Sequence, residues 1–156
     1  MNKLNTKKGF SLIELLVVIA IIGVLSAVGI TAYTGYTASA KEQASRTQFS
    51  QIVSLVNAEV AKCSLGSGSY AWTGDCSGGI TTSTDSSIAT YLGSDLGMKN
   101  PYSNSENVTT TFTAVADGTT NPAADGRTTV YSNSTSVVIK TDVGDEVLSQ
   151  TIADAS

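Results

Sequence analysis

Residues 7–30 read KKGFSLIELLVVIAIIGVLSAVGI, and the organisation of the whole chain follows from them. From Phe10 to Ile30 the run is apolar except for Ser11, Glu14 and Ser26. A helix of these 21 residues is about 31 Å long at ~1.5 Å per residue, enough to cross a bilayer. Lys3, Lys7 and Lys8 precede it with no acidic residue among them, which keeps the N-terminus cytoplasmic and sends the remainder outward. Two ordinary readings fit such a start. One is a secretory signal peptide cut near Ala38-Ser39-Ala40, but that site lies eight residues past Ile30 and the apolar run exceeds a usual signal core. The other is a permanent signal anchor. Neither accounts for Glu14. A carboxylate inside an apolar span costs about 2.5–3.5 kcal/mol on insertion scales, so it marks a function that needs a partner.

Outward from this stretch, composition closes off most enzyme chemistry. The 156 residues suit one domain with an appendage. There is no histidine, which removes the commonest general base and metal ligand, and two cysteines cannot build a Cys-rich zinc site. Nine Lys and Arg against 13 Asp and Glu make a poor surface for releasing counterions from nucleic acid, so no direct nucleic-acid binding is expected. Small hydroxyls are abundant instead: 21 Ser plus 21 Thr give 42 residues, 27% of the chain.

The octapeptide Lys7-Lys8-Gly9-Phe10-Ser11-Leu12-Ile13-Glu14 resembles the processing site of type IV prepilins and their pseudopilin relatives, and the likeness runs on to about Tyr36. The resemblance implies that a prepilin peptidase cuts between Gly9 and Phe10 at the cytoplasmic face and methylates the new Phe10 amine. It places the motif's glutamate at Glu14. It implies as partners further copies of the same chain in a homopolymeric filament, the peptidase, an inner-membrane assembly platform with its ATPase, and the membrane itself before assembly. Many relatives carry a proline at the position of Thr31, with tyrosines matching Tyr33 and Tyr36; here a helix break would rest on Gly23, Gly29 and Gly35 alone.

Elementary electrostatics gives the same constellation a purpose. Cutting at Gly9 leaves an ammonium on Phe10 in apolar surroundings, one helical turn from the Glu14 carboxylate. Each charge is costly alone and tolerable when paired. In a filament the pair can form between neighbouring subunits and set their axial register. Phe10 and Glu14 are therefore the expected assembly residues.

Beyond Thr31 the helix is expected to continue to Lys62 with Phe49, Ile52, Val53, Val56 and Val60 on one face, as cover for a sheet. The period then changes. Ser64 to Asp85 reads as loop, Asp85 as the N-cap of a short helix to Leu92 stopped by Gly93, and Val108–Val115, Thr128–Ser132, Ser136–Thr141 and Glu146–Ile152 as strands separated by turn signals. The expected fold is α+β and pilin-like, a long N-terminal helix packed on an antiparallel β-sheet. Its parts are a cleaved leader (1–9), a transmembrane and filament-core helix (10–30), an amphipathic helix (31–62) and a globular head (63–156).

Export places Cys63 and Cys76 in an oxidising compartment, where two thiols pair. The bridge staples the segment after the helix, whereas many pilins clip a loop near the C-terminus. Acidic turns at Asp117 and Asp125, and at Asp142, Asp145 and Glu146, raise calcium as a possible ligand, because major pseudopilins of type II secretion hold calcium in a C-terminal loop and Asn100-Pro101-Tyr102 is similar to one of their stretches. Solvated turn carboxylates are the simpler reading, with no cofactor. Asn107-Val108-Thr109 and Asn133-Ser134-Thr135 match the glycosylation pattern, which a Ser/Thr-rich chain produces easily. The expected function is a non-enzymatic structural subunit of an extracellular type IV pilus. Its alternatives are a pseudopilin of a secretion system and a monomeric signal-anchored binding domain.

Overall fold

The computed structural model describes residues 9–66, 68–72, 76, 79–80, 84–107, 121–122 and 125–153, without the side chains of 104–107. The expected strand Val108–Val115, the residues Val108 and Thr109 of one glycosylation pattern, and Asp117 lie outside them. The fold is α+β, with a long apolar N-terminal helix and an antiparallel sheet. Helix α1 spans Leu12–Ser64, 53 residues without a proline. The chain divides into two units, Met1–Ala38 and Ser39–Ser156.

In the first unit every residue from Gly9 to Tyr36 is exposed. The helix passes through Gly23, Gly29, Thr31 and Gly35 without interruption. Thr31 donates its hydroxyl to the Val28 carbonyl (3.0 Å), Thr34 to Thr31 (3.0 Å) and Thr37 to Thr34 (2.9 Å). These hydroxyls are thus satisfied within their own helix, which is what an apolar solvent demands.

In the second unit α1 buries one face. Ile52, Val56 and Val60, one turn apart, are at most 4% exposed, and Phe49 and Val53 are half-buried beside them. Opposite stands a three-stranded antiparallel meander, labelled β3 (Thr128–Ser132), β4 (Ser136–Asp142) and β5 (Val147–Ala153) after a short hairpin of β1 (Lys99–Asn100) and β2 (Ser103–Asn107). Alternation sets the register. Val130 opposes Ile139, Ser132 opposes Val137, and all four are buried. Thr128 and Thr141 are also buried and share a hydroxyl hydrogen bond of 2.7 Å, so their polarity is satisfied within the core.

Local chemistry shifts several boundaries. Strand β4 runs one residue beyond expectation because Asp142 pairs with Val147. Strand β5 starts one residue later because the Glu146 carbonyl accepts the Val143 amide inside the turn. Asp85 lies inside helix α2 (Thr84–Thr90) and not at its cap. Burial pushes its carboxyl above the usual range, partly offset by the Ser86 amide donating to it at 2.6 Å. Gly93 does not stop this helix. The chain widens into a π-helical turn over Tyr91–Asp95, where the Leu96 amide donates to the Tyr91 carbonyl. The left-handed residue that ends it is Gly97, with φ of +64°.

The β3–β4 turn explains Asn133 without any sugar. Its Oδ1 accepts the amides of Thr135 (2.9 Å) and Ser136 (2.7 Å) and lies within 3.1 Å of both their hydroxyls. Asn133→Ala should therefore cost about 1–2 kcal/mol, read as a lower urea midpoint at unchanged slope.

Candidate processing and assembly site

Phe10 is 92% exposed, and Leu12 is the first helical residue. Between them Ser11 sits at the N-cap. The Glu14 carboxylate accepts the Ser11 backbone N–H at 2.8 Å, so Ser11-x-x-Glu14 forms one half of a capping box. Glu14 also lies in the first turn, where the helix dipole favours a negative charge. It shares an apolar recess with Phe10, Ile13, Leu15, Val17 and Val18. The expected Gly9–Phe10 junction thus lies outside the helix and the carboxylate inside its first turn. The capping role was visible in the Ser-x-x-Glu spacing, a signal that the apolar run obscures.

All large apolar side chains from Leu12 to Ile30 are exposed, and the helix is long and apolar enough to cross a membrane. Residues 4–30 match the prokaryotic N-terminal methylation motif. That motif is the signature of type IV pilin and pseudopilin precursors. No curated protein and no solved structure matches the chain. The segment fits a membrane-anchored precursor of the kind a prepilin peptidase processes, and it suggests a structural subunit.

In the second unit a different cluster ties the loop after α1 back to the helix. Cys63, in the last turn, is bonded to Cys76 with 5.5 Å between their Cα atoms. One turn earlier, Glu59 accepts the Ala71 amide at 2.8 Å and pairs with Lys62 at 2.7 Å. Tyr70 is buried and its ring stacks on Trp72 with centroids 5.1 Å apart. Closing a loop of this length stabilises by about 3 kcal/mol in the chain-entropy model, so the double Cys63→Ser, Cys76→Ser variant should lose a few kcal/mol. The check is thermal melting of the intact and double-mutant subunits, with the N-terminal mass of both unchanged.

The acidic turn between β4 and β5 is also held, by a cation from α1. Arg46 pairs with Glu42 at 2.8 Å, with Asp145 at 3.3 Å and with Glu146. Hydrogen bonding to Glu146 first, and to Glu42 next, raises its already high pKa. Asp142 accepts the Gly144 amide at 2.9 Å. Among the described residues no three His, Cys, Asp or Glu side chains converge as a metal site. Arg46 carried no functional signal in the sequence, because Asp145 and Glu146 lie 99 and 100 residues away. Asn100, Pro101 and Tyr102 form the β1–β2 turn. Asn100 is buried, donates to the Asp125 carbonyl (3.1 Å) and accepts the Tyr102 amide (2.8 Å), while the Tyr102 hydroxyl donates to the Val143 carbonyl (3.2 Å).

Proposed function

We propose that this chain is the structural subunit of an extracellular type IV pilus. The observation that carries this reading is the exposed apolar face of residues 12–30, which makes up most of the methylation motif at residues 4–30. An apolar helix of this kind is stable only in lipid or against other such helices, so it serves first as anchor and then as filament core. Removal of residues 1–9 takes away three of nine cations and no anion, leaving 6 against 13. A filament of such subunits has an acidic, hydroxyl-rich surface, which favours solubility over capture of nucleic acid.

A second reading, a pseudopilin of a secretion system, draws support from the Asn100-Pro101-Tyr102 turn and the acidic β4–β5 turn it contacts. Fibres sheared from intact cells, viewed by negative stain and analysed by mass spectrometry, separate the two. Surface fibres built from this chain support the pilus. Absence of fibres, together with loss of protein secretion on deletion of the chain, supports the pseudopilin.

A further inference from the structure

We propose that the head carries a binding site for a neutral sugar ring in the cleft beside its π-helical turn. The cleft encloses about 230 Å³ and is lined by Trp72, Ser86, Ser87, Thr90, Tyr91 and Asp95. That volume lies below the roughly 300–1,000 Å³ of drug-sized pockets and suits one ring, not an oligomer.

The backbone supplies the first argument. Residues Tyr91–Asp95 form a π-helical turn, a rare geometry that occurs mostly as single turns and frequently at functional sites. The wider turn brings Tyr91 and Asp95 to the same cleft as Trp72, which comes from the loop after α1. Its ends are secured by the Leu96 amide on the Tyr91 carbonyl (2.9 Å) and the Met98 amide on the Leu92 carbonyl (3.0 Å). Leu92 beneath it is fully buried, so the turn is held by the core and is not a frayed end.

The lining chemistry supplies the second. Trp72 and Tyr91 meet at 6.5 Å with their planes 60° apart, and Tyr70 stacks on Trp72 from within the fold. The pair offers aromatic surface to the apolar C–H face of a ring. Of the polar groups, the Asp95 carboxylate only accepts, while the serine and tyrosine hydroxyls both donate and accept. The Asp95 carboxylate is exposed, with no hydrogen-bond or ion-pair partner among the described residues, and Thr90 already donates its hydroxyl to the Ser86 carbonyl at 2.9 Å. Such a site wants a ligand with an apolar face and a rim of O–H donors. Among the described residues no Lys or Arg lines the cleft, so an anion finds no counter-charge from them. A quaternary ammonium needs ring faces around it, and two rings meeting edge to face do not enclose one.

Trp72 is the chain's only tryptophan, so its fluorescence reports on this cleft alone. The full-length chain, in a polyoxyethylene-ether detergent, is titrated with glucose, galactose, mannose, N-acetylglucosamine, N-acetylgalactosamine and choline chloride. The expected result is a saturable emission change with at least one sugar at concentrations on the order of 1–10 mM, the affinity of a small ligand making a few polar contacts. Asp95→Ala and Tyr91→Ala should each weaken it at least tenfold. Asp95 is exposed, so its variant should melt with the wild type even if Tyr91→Ala folds poorly. Flat titrations with every sugar, undiminished binding by Asp95→Ala, or saturation by choline alone would overturn the proposal. The titration reads the head alone, so its outcome is separate from whether the chain forms a surface pilus or a pseudopilus.

Discussion

Gly9→Val should leave the full-length precursor in the inner membrane and abolish filaments. The fold has no objection to the substitution: a Cβ at Gly9 meets nothing within 4 Å, and the residue precedes the helix that starts at Leu12. On the proposed reading the effect arises where a prepilin peptidase grips the junction within the methylation motif at residues 4–30. Mass spectrometry of membrane fractions should show a wild-type chain starting at a methylated Phe10 and a mutant chain starting at Met1. The uncut leader would also keep Lys3, Lys7 and Lys8 on the cytoplasmic side, so the helix could not leave the bilayer without dragging three charges through it. Normal fibres from Gly9→Val, or a mature chain beginning at Lys41, would remove the basis for the filament reading.

The second large effect is expected at Glu14, where two roles can be separated. As a cap, the side chain needs only an acceptor for the Ser11 amide. As a register device it needs a charge for the Phe10 ammonium. Glu14→Gln keeps an acceptor and removes the charge; Glu14→Val removes both. A charge left buried without its partner costs about 3–5 kcal/mol, so both variants should lower fibre yield by more than about a hundredfold. Cleavage at Gly9 should persist in both, and Glu14→Val should insert into the membrane more readily. Fibre yield is measured by shearing, and processing by N-terminal mass. Wild-type yield from Glu14→Gln would reduce Glu14 to a helix cap.

How much of this was legible in residue order depends on the range of the interactions involved. The long apolar helix from Leu12 to Ile30 was legible because hydrophobicity and length act locally and need no partner. The face Ile52, Val56, Val60 and the strand Thr128–Ser132 were legible because helix and sheet periods show in residue order. The pairing of Cys63 with Cys76 was open to the same reasoning, since they close a short loop and export sets their redox state.

Contacts between distant residues were not legible. The hairpin Lys99–Asn107 is polar apart from Pro101 and Tyr102, so no alternation announced it; buried Asn100 and the reach of Tyr102 to Val143 hold its turn. Asp125-Gly126 read as an ordinary turn, yet a Cβ on Gly126 would collide with Asn100 and Tyr102. Arg46 gave no such signal in residue order and is the cation that holds Asp145 and Glu146. Gly93 read as a stop, but buried Leu92 and the bond from Met98 carry the chain through a π-turn to Gly97. Period, length and charge thus set which segments are helix, strand and long apolar run, since each acts over a few residues. The placing of Arg46, Asn100 and the Trp72–Asp95 cleft waited on the packed head, because their energies come from groups that only folding brings together.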